Sequence, residues 1–312
     1  MGTTSNAGVC LLAILLSFGL PTSATSQEQN SAACEDTNAA PDHTISACTA
    51  LIRAGGLAPQ ALYFAYNNRG AGYARVRDFP HAMLDLNEAI RLNPNAAMAY
   101  YNRGNTYNDR QDYTHAIADY SEAIRLDPRN SSAYVNRGNA YQSNRDYEHA
   151  VADYSQAVQL DPNNPDAYFD RGAVYFRLRE FSQGLADFDR AATLRPHDAA
   201  IEGSRCWGRA VANQDLATAR SACDRSLQIQ PSDPATLDSR GLVGLRQERW
   251  QDAWNDYNSA VAIDASNARH LYGRGIAALR LGNAFDAQTD IARATSIDPN
   301  IANTYAAFGQ TP

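Results

Sequence analysis

Glycines stand 34 residues apart at Gly70, Gly104, Gly138 and Gly172; after a displaced Gly208, the spacing returns at Gly241, Gly275 and Gly309. A fixed period of that length confines the chain to an architecture in which one supersecondary unit stacks on copies of itself. Other positions keep the same beat. Small residues recur twelve positions after most of these glycines, at Ala82, Ala116, Ala150, Gly184, Ala253 and Ala287. A second series follows seven further on, at Ala89, Ala123, Ala157, Ala191, Ala260 and Ala294. Each unit closes on Pro94, Pro128, Pro162, Pro196, Pro231, Ala265 or Pro299. Segments such as Ala99–Arg110 and Thr114–Leu126 space their apolar and small residues as helices do. Small residues let two helices approach closely, and proline stops the second helix and resets the chain. A single hairpin cannot bury its own apolar face, but stacked neighbours can.

These residues resemble the tetratricopeptide repeat. The family's pattern of aromatic, Gly, Tyr, Ala, aromatic, Ala and Pro reads Tyr100, Gly104, Tyr107, Ala116, Tyr120, Ala123, Pro128 in one unit, and Tyr134, Gly138, Tyr141, Ala150, Tyr154, Ala157, Pro162 in the next. The resemblance implies an all-α fold, a right-handed α-solenoid of stacked helix–turn–helix hairpins. It covers residues 59–299 as about seven units, with the fifth, about Ala199–Pro231, degenerate. Residues 27–58 are expected to form a shortened N-terminal capping hairpin, and residues 300–312 a C-terminal capping helix and tail.

The units also share a coupled departure from the family. Where the family has leucine before the glycine, this chain has Arg69, Arg103, Arg137, Arg171, Arg240 and Arg274. Where the second helix has a large residue, it has Asp85, Asp119, Asp153, Asp187, Asp256 and Asp290. The charges arrive together, which predicts six internal pairs with charge-assisted bonds, fixing register more than adding stability. The alternative is that the arginines grip acidic ligands. In this reading the fifth unit lacks both charges and carries Cys206 and Cys223 instead, while the N-terminal hairpin offers Cys34 and Cys48 at similar places. Packed helices lie about 8–10 Å apart, whereas a disulfide needs Cα atoms within roughly 7 Å. Hairpins several units apart therefore cannot be bridged, and the expected pairs are Cys34–Cys48 and Cys206–Cys223. Buried free thiols are the alternative; no histidine accompanies the cysteines at zinc-ligand spacing.

Composition narrows the chemistry. All 27 basic side chains are arginine, so no lysine exists for a Schiff base or a phosphate-binding loop. A net charge of −7 argues against nucleic acid. Gly-x-Ser-x-Gly and His-Glu-x-x-His motifs are absent, and no enzyme or cofactor is expected. His81, His115 and His149 recur a full repeat apart, too far to share a metal, and read as exposed repeat positions. Asn130-Ser131-Ser132 fits a glycosylation acceptor. At the start, Val9–Leu20 is an apolar run of 12 residues followed by Pro21 and small residues. Spanning a bilayer takes about 20, so the run suits a signal peptide over residues 1–26, cleaved after Ala24 or Ser26. No basic residue precedes it, and a wrongly assigned start or a buried helix are the alternatives. Cys10 is not placed like a lipoprotein cysteine. With paired cysteines, an exported protein of the bacterial periplasm is expected, a secreted or envelope-associated one being the alternative.

In the family, first helices line a concave groove that binds peptides. Carried over by position, that groove contains Asn68, Asn102, Asn136 and Asp170, one per unit, with Asn105, Asn139, Gln142, Tyr101, Phe169 and Phe176 nearby. Asparagine is a poor mid-helix residue, and a carboxamide both donates and accepts, which suits recognition of peptide backbone. A solvated polar face is the bland alternative. The carboxylate clamp of chaperone-binding arrays needs lysines that are missing here. The resulting expectation is a non-catalytic scaffold or adaptor for a peptide or protein partner. A self-associating assembly or secretion-system subunit is the alternative, and an enzyme with an unrecognised site the weakest reading.

Overall fold

The structure, a computed structural model, describes residues 22–36 and 38–312; the apolar run Val9–Leu20 and Cys10 lie outside the described residues. The described residues form seventeen helices and no strand, an all-α helical-repeat solenoid. The chain divides into two compact units at Thr106/Tyr107.

In the first unit, α1 (Thr22–Glu35) pairs with α2 (Pro41–Ala54), and α3 (Pro59–Arg75) pairs with α4 (Phe79–Leu92). Helix α5 (Ala97–Asp109) begins there. In the second unit, α6 (Tyr113–Leu126) packs on α7 (Ser131–Ser143). Hairpins follow from α7 with α8 (Tyr147–Leu160), α9 (Pro165–Arg177) with α10 (Phe181–Leu194), and α11 (Ala199–Ala212) with α12 (Leu216–Ile229). The last two are α13 (Pro234–Arg246) with α14 (Trp250–Ile263), and α15 (Ala268–Arg280) with α16 (Ala284–Ile297). Helix α17 (Ile301–Ala307) rests on α15 and stops short of Gly309, which has a φ of 69°.

Short polar residues start these helices. Asn130, Asn164, Asp198 and Asp233 accept backbone N–H bonds at first-helix N-termini, while Asp78, Asp112 and Asp146 do so for second helices. Asn130 caps α7 through its Oδ1 within the glycosylation-like triplet. The turn inside most hairpins holds a left-handed residue, at Arg77, Gln111, Arg145, Arg179, Glu248 and Gly282. Only the last uses the residue that adopts this conformation without strain.

The period-34 glycine is where two helices of one hairpin come closest. A Cβ on Gly138 would lie 2.9 Å from the Tyr154 ring, and one on Gly241 would lie 2.7 Å from Tyr257. The fifth hairpin solves the same place differently. Helix α11 is one residue longer than α9, with 14 residues against 13, so that Gly241 comes 35 residues after Cys206, and Gly208 stands at the place of Val174 rather than of a repeat glycine. Cys206 stands 34 residues after Gly172, and Cys223 stands 35 after Phe188. Where other hairpins set the glycine against a large side chain, aromatic at Tyr154, Phe188 and Tyr257 and aliphatic at Leu86 and Ile291, this one has a disulfide, with Cα atoms 5.1 Å apart and both cysteines fully buried. A second disulfide joins Cys34 to Cys48 between α1 and α2, at a Cα separation of 4.9 Å.

Five of the arginines before the glycine, Arg69, Arg137, Arg171, Arg240 and Arg274, make a two-way clasp. Within its own hairpin, Arg69 grips Asp85 with Nε and Nη2 at 2.7 and 2.8 Å, and Arg137 grips Asp153 at 2.8 and 2.7 Å. Arg171–Asp187, Arg240–Asp256 and Arg274–Asp290 repeat that fork. The remaining Nη1 reaches back to the preceding second helix. It meets Ser121 from Arg137, Ser155 from Arg171, Asp224 from Arg240 and Asn258 from Arg274, each 16 residues earlier. In the first unit Arg69 finds Thr49 and Arg103 finds Asn87 in the same manner. The aspartates are buried, and the bond to Asp153 holds the Arg137 guanidinium above its usual pKa.

The fifth hairpin does not lack its arginine, contrary to the reading from Gly208. Arg205, 34 residues after Arg171, holds the clasp position and donates back to Asp189 at 2.9 Å. Ala222 occupies the aspartate's place, so Arg205 turns to Glu202, which Arg225 also grips at 2.9 Å.

Removing one side of a buried pair strands the other charge, which costs about 3–5 kcal/mol. Arg137→Leu is therefore expected to lower the urea midpoint by an amount near the bottom of that range. Arg137→Leu combined with Asp153→Leu should recover most of the loss, since an apolar pair replaces an ionic one. Equal destabilisation by the single and double variants would contradict the clasp.

Candidate functional site

Two stretches of first-helix surface combine polar side chains with open space. In the first unit, α3 and α5 carry three linked carboxamides. Asn102 donates to Asn67 at 3.0 Å, Asn67 donates to Asn68 at 2.9 Å, and Asn68 donates to the Cys34 carbonyl at 3.0 Å. Asn67 is buried, and its part in this chain escaped the position-by-position reading, although the Asn67-Asn68 pair was visible in the sequence. Beside the carboxamides opens a cavity of about 500 Å³, walled by Phe64, Ala71, Gly72, Met98 and Thr44. Phe64 and Met98, 44% and 50% exposed, line the same cavity, and the buried Thr44 hydroxyl has no partner among the described residues. Tyr101 and Asn105 lie half-buried on α5.

In the second unit the expected residues divide. Asn136 is half-buried on α7. Asn139 and Gln142 are turned to structural use, sharing the Tyr154 hydroxyl at 2.6 and 2.9 Å. Phe169 packs against Phe188, with ring centroids 5.7 Å apart. Phe176 is not a surface residue. It is 7% exposed and stacks between Phe181, Phe188 and Trp207. The cause is Gly184, which stands where other hairpins have alanine; a Cβ there would come within 2.6 Å of the Phe176 ring.

Asp170 sits half-buried in mid-α9, and among the described residues nothing donates to its carboxylate. Desolvation, assisted by the nearby Asp166 charge, pushes its pKa up to about 6. The same register position, the residue before the clasp arginine, continues at Ser204 and, past the additional residue of the fifth unit, at Ser239, beyond the stretch that the asparagine series had marked. Both line a cavity of about 540 Å³ together with Trp207, Arg269 and His270. Asp238 is buried and paired with Arg269. Burial raises its pKa despite that partner.

The three period-34 histidines lie at hairpin turns, 61%, 64% and 66% exposed. Each stacks on a tyrosine, as His115 does on Tyr107 at 5.0 Å, and bonds to the aspartate capping its own helix. Among the described residues no group of three or more His, Cys, Asp or Glu side chains could hold a metal ion. No described helix is long and apolar enough to cross a membrane.

Three family models, described as tetratricopeptide repeat, TPR repeat and again tetratricopeptide repeat, match residues 138–203, 104–144 and 240–300. The chain is a tetratricopeptide-repeat protein. Solved structures carry the same fold. A tetratricopeptide protein with an unusual peptide-binding site, YrrB, is 22% identical at a TM-score of 0.55, over 61% of this chain and 97% of its own. PilF of Pseudomonas aeruginosa is 18% identical at a TM-score of 0.60, over 68% and 96%. PilW, a widely conserved type IV pilus biogenesis factor, is 22% identical at 0.57, over 65% and 94%. Identities this low speak for the fold alone. No curated protein matches the chain.

Within this repeat array Asp170 has a measurable stability signature. Its folded pKa is raised above the unfolded value of about 3.9, so the folded state binds the proton more tightly. The penalty for the charged form is complete above about pH 6 and disappears as pH falls towards the unfolded value. Asp170→Asn should raise stability by about 2 kcal/mol near neutral pH and change it little near pH 4. Chemical denaturation at both pH values checks this; a gain that is the same at both would refute it.

Proposed function

We propose that this protein is a non-catalytic scaffold that holds an extended segment of a partner protein on its first-helix face. The observation carrying this reading is the first-unit cavity, where half-exposed Phe64 and Met98 stand beside the linked carboxamides of Asn67, Asn68 and Asn102. An apolar side chain of the partner would enter the cavity, while spare carboxamide donors and acceptors would meet its backbone. The family membership supports an interaction role, and one solved protein of the same fold is described as having a peptide-binding site. Two disulfides and the apolar run Val9–Leu20 support an exported protein, with the periplasm as the compartment that best accommodates both.

Peptides selected from a random library on the full chain test the reading. Phe64→Ala with Met98→Ala should weaken their binding by about tenfold or more, while the unfolding midpoint moves little because both side chains are half in solvent already. Selected peptides that ignore this double substitution and the companion Asn102→Ala would rule the face out.

A second reading, self-association, rests on α16, where Phe285 is 81% exposed and Ile297 45% exposed. Light scattering across a concentration series, with Phe285→Ser for comparison, separates it from a monomeric scaffold.

A further inference from the structure

Among the described residues the carboxylates withdrawn from solvent come matched with arginines, although the half-buried Arg246 meets only the Val211 carbonyl. Five buried aspartates receive two N–H bonds each from the clasp arginines, Glu202 is held by Arg205 and Arg225, and Asp238 by Arg269. Asp170 breaks that rule. Its neighbour Arg171 turns away, with two N–H groups on Asp187 and a third on Ser155. The other groups around it are already engaged. On α9, Asp166 is one turn away and bonded to Arg195 at the end of α10. From α8 comes Tyr154, which feels the Asp170 charge and whose hydroxyl is given to Asn139 and Gln142 on α7. From α10 comes Asp187, which Arg171 neutralises.

A neutral residue fits the position, since Asn68, Asn102 and Asn136 occupy it one repeat after another. Keeping a half-buried, uncompensated carboxylate there costs stability that asparagine would not. The missing element is a counter-charge from outside the chain. We propose that Asp170 is the cation-recognising residue of the second unit's first-helix surface, receiving the guanidinium or ammonium group of a basic side chain on a partner segment bound there. This rests on the scaffold reading above and adds the chemistry of its ligand. In a partly desolvated place the ion pair is worth more than on open surface, and Asp166 adds a second negative charge nearby. The net charge of −7 would also draw a basic partner in. Ionisation is required, so the preference for a cation should fade as the pH drops through about 6.

The test uses the full chain and three capped alanine- and serine-based peptides that differ only in a central arginine, lysine or citrulline. Citrulline keeps the shape of arginine without its charge. Fluorescence anisotropy near pH 7.5 should show the better of the two cationic peptides binding about tenfold tighter than citrulline. The stronger one identifies the group as guanidinium or ammonium. Near pH 5 the advantage should shrink to about twofold or less. Asp170→Asn, which is expected to fold at least as well, should abolish the advantage at both pH values without weakening the citrulline peptide. If all three peptides bind alike to the natural chain, or if the advantage survives Asp170→Asn, the inference is overturned and the scaffold reading stands. Binding of none of them overturns both.

Discussion

The arginine that replaces a leucine before each repeat glycine organises this structure. Its guanidinium is planar and carries five N–H groups, so it can fork onto a carboxylate and still reach a third acceptor. Arg137 does both, joining Asp153 in its own hairpin and Ser121 on the helix before it. A leucine would contribute comparable apolar contact but would not care about direction. The clasp does: only one relative placement of three helices satisfies all of its bonds. Alanines and glycines bring the helices close, and the clasp selects the register at which they stop. An all-arginine complement matches this use, because a lysine ammonium has no second edge to offer.

Much of this was legible in the chain, for a physical reason. Helix spacing, glycine, alanine and proline are narrow solutions to narrow problems, so their identities recur and the period stands out. The arginine and its aspartate 16 residues later were visible because a bidentate bond also tolerates few residue types. The backward half of the clasp was hidden. It needs only a side-chain acceptor, and Ser121, Asp224 and Asn258 meet that need with three different residues. Asn67 was missed likewise, since a buried carboxamide and a surface one look the same in sequence.

The fifth hairpin and Phe176 mark where positional reading fails. One additional residue in α11, after Cys206, offsets the later units, and Gly208 stands where Val174 stands one unit earlier, while Arg205 and Cys206 keep the true positions. A disulfide accepts the place of a glycine and a large side chain because it, too, joins two helix backbones at close range, here 5.1 Å between Cα atoms. Phe176 became core through a change on the opposite helix, where Gly184 leaves a slot that alanine would have filled. Neither event has a local signature. Both are compensations, and a compensation is read only when both partners are seen together.

The backward reach of the clasp also bears on how such a chain can lengthen. The block that contains Arg137 and Asp153 also contains Ser155, which receives the arginine of the following hairpin. Plug and socket are thus encoded within one stretch of sequence. An in-frame tandem copy would arrive with its own fittings and could be spliced between existing hairpins without orphaning a charge, whereas a cut at any other phase would separate an arginine from one of its anchors.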